Sequence, residues 1–191
     1  IMKQEQKYNL TVGVGVEPAT TKSYGRGRDT SYTVTNIAPA AKFDYRISDQ
    51  KFLRVRYRGR TSQPSINQLL PIPDNTNPLR VTMGNMNLNP EFTHSLNFEY
   101  RTGNREKFSW FGTFIDASYT TNKIVSKSWY DDNGVQYTQP YNDGTGVYSL
   151  SGRAMYNSKI AKSNFSIGSM TFVRFGNGIT YVAEKGDYVK N

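Results

Sequence analysis

The chain has 191 residues, 24 Lys and Arg against 15 Asp and Glu, a formal net charge of +9, and no cysteine. Without thiols there is neither a disulfide framework nor a thiolate metal site, and no run of about 18 apolar residues exists that would cross a membrane as a helix. Hydrophobic residues make up 36% and aromatics 14%, with 14 tyrosines, a balance poor in aliphatics for a chain that must fill a packed interior.

Side chains on a strand alternate between two faces, and this period recurs along the chain. Residues 7–17 place Tyr8, Leu10, Val12, Val14 and Val16 on one face, with Lys7, Asn9, Thr11 and Glu17 on the other. Residues 41–47 set Ala41, Phe43, Tyr45 and Ile47 against Lys42, Asp44 and Arg46. Residues 53–60 are the sharpest case: Leu53, Val55, Tyr57 and Gly59 oppose Arg54, Arg56, Arg58 and Arg60. Such a row of arginines cannot lie in a dry core, because unpaired buried charge is prohibitively costly. The strand fits a wall between two media, either one sheet of a soluble β-protein or a barrel with lipid outside and water inside. Residues 95–101 and 147–156 alternate in the same way. Residues 108–120 and 165–175 are strand-like with less clean parity, as a bulge would produce. No window has helical periodicity. The chain reads as an all-β antiparallel meander of seven to eight strands. The positive charges alternate with carboxylates along strands and do not form a patch interleaved with stacking aromatics, so nucleic acid is not an expected partner.

The connections alternate in length. Residues 48–51, 102–107 and 158–164 are short, whereas those around 25–36, 64–93 and 122–144 are long. Short turns on one side and long loops on the other is the layout of outer-membrane barrels. Parity also constrains the first short turn, since opposed residues must both be apolar or both polar. A three-residue loop of Asp49, Gln50 and Lys51 sets Ile47 opposite Leu53, Tyr45 opposite Val55 and Phe43 opposite Tyr57. It also places Asp44 opposite Arg56, and leaves Glu99 to compensate the remaining arginines. Asp131-Asp132-Asn133-Gly134 and Asn142-Asp143-Gly144 are turn signals; the first lacks the carboxylate spacing of a calcium loop.

In the longest loop, Arg60 is followed by Thr-Ser-Gln-Pro-Ser-Ile-Asn-Gln-Leu-Leu-Pro, and later by Gly84-Asn85-Met86-Asn87-Leu88-Asn89-Pro90-Glu91 and a strand ending Phe98-Glu99-Tyr100. This resembles the β-barrel of TonB-dependent outer-membrane receptors, which carry a Pro-Ser-x-x-Gln-Leu stretch followed by Gly-Asn-Pro-x-Leu-x-Pro-Glu. The chain departs from that pattern at Met86, where the family has Pro. The resemblance implies that residues 1–191 are a single barrel segment of a larger transmembrane β-barrel in the bacterial outer membrane, with the plug domain absent. It implies transport of a large nutrient such as a metal chelate, cobalamin or an oligosaccharide. Its partners would be outer-membrane lipid, the chain's own plug domain and an inner-membrane energy-transducing complex. Lumen-facing candidates are Arg54, Arg56, Arg58, Arg60, Asp44 and Glu99. Candidate ligand contacts in the loops are Trp129, Tyr130, Tyr137 and Tyr141.

No catalytic, cofactor or metal site is expected. His94 is the single histidine, and no Gly-x-Ser-x-Gly elbow accompanies it. Two alternatives accompany the transport reading. One is a soluble or surface-exposed β-sandwich that binds carbohydrate. The other is a small eight-stranded outer-membrane barrel with residues 178–189 as its last strand, an enzyme if His94 sits in its site.

Overall fold

The computed structural model describes residues 7–23, 30–160, 163–179, 181–184 and 187–190. In chain order the elements are β1 (Tyr8–Ser23), β2 (Thr30–Ser48), β3 (Lys51–Ser62), the one-turn helix α1 (Ile66–Leu69), β4 (Asp74–Asn77), β5 (Arg80–Thr82) and β6 (Glu91–Asn104). They continue as β7 (Ser109–Thr121), β8 (Lys123–Tyr130), β9 (Gln136–Asp143), β10 (Val147–Lys159), β11 (Ser166–Gly176), β12 (Tyr181–Glu184) and β13 (Asp187–Lys190).

Seven strands form one sheet in the order β1-β2-β3-β6-β7-β10-β11, and each adjacent pair is antiparallel. These are the seven alternating segments of the sequence. The long connections contribute β4, β5, β8 and β9, and the segment after β11 contributes β12 and β13; together these form a six-stranded sheet in the order β13-β12-β8-β9-β5-β4. Two of its pairings, β5 with β9 and β12 with β8, are parallel. The first long connection is shorter than its sequence suggests, because β1 and β2 stay paired out to Ser23 and Thr30. Residues 24–29 lie outside the described residues.

One face of the large sheet is apolar from end to end. Across the strands its rows read Leu10, Phe43, Val55, Phe98 and Ile115, and then Val12, Ala41, Tyr57, Leu96 and Ala117. This face is open: Val12 is 71% exposed, Val14 67% and Phe175 62%. Among the described residues the buried hydrophobics are Leu88 and Val125, both in the long connections. An aliphatic side chain left in water forgoes roughly 1.5–3 kcal/mol relative to an apolar medium, so this face requires one. The stretch from Tyr8 to Val16 covers roughly 26 Å along the strand, close to the height of a barrel's apolar band, about 25 Å. Tyr8, Tyr45 and Tyr100 stand at its short-turn end, and Tyr57, His94 and Tyr119 form an aromatic cluster further toward the long connections.

The soluble sandwich is therefore wrong. Its two sheets would have to cover each other's apolar faces, whereas the small sheet grows out of the long connections and meets the large one where β6 and β8 begin. The eight-stranded alternative fails as well, because β12 and β13 join the small sheet and leave β11 as the last strand of the large one.

Parity holds across β2 and β3, but the register differs by two residues from the sequence expectation. Tyr45 is opposite Leu53, Phe43 opposite Val55, and Asp44 opposite Arg54 instead of Arg56. The turn is Asp49-Gln50, with Ser48 paired to Lys51, and an irregularity between Arg46 and Ser48 takes up Ile47 as an extra residue. That bulge returns the charged residues to one face. The expected bulges in 108–120 and 165–175 do not occur, since β7 and β11 pair in unbroken register. Their parity looked blurred because Trp110, Phe114 and Phe172 stand on the charged face. There Arg101 and Arg153 cover Phe114 at 5.4 and 4.7 Å, and Arg174 covers Phe172 at 5.8 Å. Such contacts contribute ~0.5–1 kcal/mol each where exposed. Gly112 leaves room for this, as a Cβ there would meet the Trp110 ring at 2.9 Å.

The register is testable by cross-linking. Directly opposed Cβ atoms approach to about 4.5–5.5 Å, within reach of a disulfide. A Phe43→Cys/Val55→Cys pair should cross-link on oxidation and migrate differently on non-reducing gels, while Phe43→Cys/Tyr57→Cys should not. Cross-linking of the second pair alone would restore the three-residue loop.

Candidate functional site

The charged face is built around Arg54. Its neighbours across the sheet are Asp44 on β2 and Glu99 on β6. Arg54 Nε donates to Asp44 Oδ1 at 2.6 Å, and Arg54 Nη1 lies 3.7 Å from Glu99 Oε2. Asp44 also receives Lys42 Nζ at 2.8 Å. Glu99, 7% exposed, takes Arg101 Nε at 2.5 Å and Arg56 Nη2 at 4.0 Å. Two carboxylates thus serve Lys42, Arg54, Arg56 and Arg101, so the cluster keeps an excess of positive charge. On the next row Asn97 Nδ2 donates to Asp116 Oδ1 at 2.5 Å. Arg58 and Arg60 lie on this same face, further toward the long connections. The six candidates Asp44, Arg54, Arg56, Arg58, Arg60 and Glu99 therefore form one surface.

The glycine-asparagine segment 84–91 has a structural part to play. Ser65 caps α1: its Oγ accepts from the Gln68 N–H at 3.3 Å, and Gln68 Oε1 accepts from the Ser65 N–H at 2.9 Å, a capping box. Segment 84–91 then docks on that turn. Gly84 N–H donates to Leu70 O at 3.0 Å, and Asn85 N–H to Gln68 O at 2.6 Å. Asn85 Nδ2 donates to Pro140 O at 3.1 Å, and Gln139 Nε2 to Gly84 O at 3.1 Å, which ties β9 in. Asn89 N–H donates to Asn142 Oδ1 at 2.7 Å, while Asn142 Nδ2 donates to Asn89 O at 2.9 Å. Glu91 closes the lock by accepting the Ile124 N–H at 2.7 Å and pairing with Lys123 Nζ at 3.0 Å. Leu88 is buried inside it. Met86 is 71% exposed, so the departure at that position disturbs none of these bonds.

Three of the four loop aromatics share a face of the small sheet. Trp129 is opposite Tyr137, and their rings stack at 5.7 Å and 13°. Tyr141 lies on the same face, with Lys127 Nζ 5.7 Å from its ring centre and the Tyr181 ring edge-on at 6.2 Å. Tyr130 projects from the opposite face. Lys127 reaches this face by the parity of β8, whereas Tyr181 is brought to it by the parallel β8–β12 pairing, which joins segments far apart in the chain and leaves no local signal in the sequence. The Tyr181 hydroxyl donates to the Asp143 carboxylate, and this bond, with partial burial, pushes the Tyr181 pKa up to about 12. Asp143 is 1% exposed. It also accepts the Thr145 N–H at 2.7 Å and the Thr145 hydroxyl, which forms the turn into β10. Asp131 makes the other turn, accepting the N–H groups of Asn133 and Val135, each at 2.9 Å.

His94 stands on the apolar face of β6. Its Nδ1 is 2.9 Å from the Tyr57 hydroxyl, and the Phe92 ring packs edge-on at 4.7 Å.

Two substitutions probe these arrangements. Glu99→Gln leaves the arginine row short of its central carboxylate. Because the arginines are partly exposed, the loss should be ~1–3 kcal/mol, read from urea unfolding in lipid vesicles. It should shrink at high salt, which screens the residual repulsion; an unchanged midpoint would contradict the network. In Gly84→Ala, the added Cβ would meet the Leu70 carbonyl oxygen at 2.2 Å and the Gln68 oxygen at 2.9 Å, both backbone atoms that cannot swing aside. A cost of ~1–3 kcal/mol should open residues 63–90 to limited proteolysis while the large sheet stays folded, and unchanged protection would disprove the lock.

Comparison with curated proteins gives no match. Residues 1–189 match the outer membrane protein beta-barrel family. The chain belongs to that family, and its place is the bacterial outer membrane.

Proposed function

We propose that this chain forms part of the wall of an energy-coupled receptor that imports a nutrient too large for passive pores: a metal chelate, cobalamin or an oligosaccharide. The observation that carries the reading is the lock at Gly84–Glu91 set on a two-faced wall, the segment through which the chain resembles TonB-dependent receptors. Outer-membrane lipid meets the apolar face. The charged face lines a wet lumen, where Arg54, Arg56, Arg58, Arg60, Asp44 and Glu99 meet carboxylates of a plug domain or draw anionic groups inward. Energy comes from an inner-membrane complex that engages another part of the receptor. Trp129, Tyr137 and Tyr141, joined by Tyr181 and Lys127, offer a stacking surface among the long loops. No catalysis is assigned, since His94 sits in the aromatic girdle bonded to Tyr57.

The test is uptake in the native host. A strain lacking the gene is compared with one carrying it, across ferric chelates, cobalamin and oligosaccharides, with and without a protonophore. Uptake of one class should require the gene and should collapse when the proton-motive force is dissipated. Flux that persists with the protonophore and admits small solutes of any class would identify a passive pore instead.

A further inference from the structure

The four arginines of β3 divide into two pairs. Arg54 and Arg56 share the carboxylates of Asp44 and Glu99, but toward the long connections the acids give way to hydroxyls. Arg58 stands between Ala40 and Ser95, and Arg60 is opposite Thr93. Both are exposed, and neither has an ion-pair or hydrogen-bond partner among the described residues. Their rows continue across the sheet through Ser118 and Ser149, and through Thr120. The Thr93 and Thr120 hydroxyls lie 2.9 Å apart.

A depression of about 510 Å³ is lined by Arg58, Arg60, Ser62, Glu91, Thr93 and Ser95. Its carboxylate, Glu91, pairs with Lys123 Nζ at 3.0 Å and accepts the Ile124 N–H at 2.7 Å, so its charge is matched within the loop lock. Two arginines whose Cα atoms are about 6.4–6.8 Å apart along a strand, flanked by neutral hydroxyls, repel each other unless an anion lies between their guanidinium groups. Guanidinium binds carboxylate and phosphate oxygens through paired, charge-assisted hydrogen bonds.

We infer that Arg58 and Arg60 form an anion-binding site for a small molecule that carries at least two carboxylate or phosphate groups, with Ser95 and Thr93 as hydroxyl partners. This deepens the transport reading and rests on its assignment of the charged face to the solvent-filled side. In that setting the paired arginines near the short turns act as structure, and the two near the long connections act on the cargo.

The experiment is isothermal titration of the full-length protein in lipid nanodiscs, with citrate as the polycarboxylate, pyrophosphate as the phosphate, and sucrose as the neutral control. The wild type should bind citrate or pyrophosphate, more weakly at high salt, and not sucrose. Whichever anion binds identifies the source of the charge. Arg58→Gln/Arg60→Gln should weaken that binding about tenfold or more. Arg58→Lys/Arg60→Lys, which keeps the charge but loses the planar fork, should fall between. Arg105→Gln/Lys107→Gln removes equal charge at a distant short turn and should change affinity less than about twofold. Folding of each variant is verified by its heat-modifiable gel mobility, and a glutamine pair that fails to fold passes the test to the lysine pair.

An equal loss in the Arg105/Lys107 variant would reduce the effect to general attraction and overturn the site, as would a wild type that binds neither anion. Because binding is read without any energy source, protein that binds but whose uptake ignores the proton-motive force overturns the transport reading and leaves the site standing.

Discussion

A sheet that separates two media cannot tolerate an odd shift in register, and every other feature of this fold depends on that constraint. Strand side chains alternate with a period of two, so a one-residue slip turns a whole strand's charges toward the apolar side. The turn at Asp49-Gln50 pairs Ser48 with Lys51 and by itself would bring Arg46 opposite Leu53. The bulge at Ile47 absorbs the extra residue, so that Arg46 faces Phe52 and Tyr45 faces Leu53. From β3 onward the pairings with β6, β7, β10 and β11 run without interruption. One inserted residue in β2 therefore keeps the apolar face of β1 and β2 in line with that of the five strands that follow.

With parity kept, the charged face becomes an electrostatic problem with two solutions along its height. Near the short turns, Asp44 and Glu99 sit on either side of Arg54, and the arginines also lie over Phe52, Phe114 and Phe172. There the guanidinium groups have both counter-ions and aromatic faces, and the wall is braced. Near the long connections the rows hold serine and threonine, and the positive charge is left open. The other side of the sheet carries the aromatic girdle, where His94 is held by the Tyr57 hydroxyl. The long connections, with the segment after β11, are themselves ordered into a second sheet, anchored to the first by Glu91, Asn89 and Asn142.

The seven wall strands were legible because period-two alternation is local. The Leu53–Arg60 stretch alone set two media on two faces. Register was legible only to within parity: a shift by two residues leaves every apolar residue facing its own kind, so Asp44 was assigned to Arg56 while it pairs with Arg54. Aromatics on the charged face blur the pattern in β7 and β11 and mimic a bulge there, whereas the compensating residue is in β2, where the alternation is clean. The second sheet was not legible. Its turn residues, Asp131 to Gly134, were visible, but the parallel pairings of β9 with β5 and β8 with β12 depend on neighbours distant in sequence. The same non-locality hid Tyr181 beside Tyr141. Gly84 drew attention as part of a motif, and its reason is steric, since any side chain there would strike the Leu70 carbonyl.

The central claim is that β3 stands as a wall with lipid on one face and water on the other. Spin labels placed singly at each position from 53 to 60 in the full-length protein, reconstituted in lipid vesicles, test this directly. Collisions with oxygen, which partitions into lipid, should be strong at Leu53, Val55 and Tyr57. Collisions with a water-soluble nickel chelate should be strong at Arg54, Arg56, Arg58 and Arg60. The two signals should alternate out of phase with a period of two. Equal access of both reagents along the whole strand, or a period of two with the phases reversed, would contradict the account.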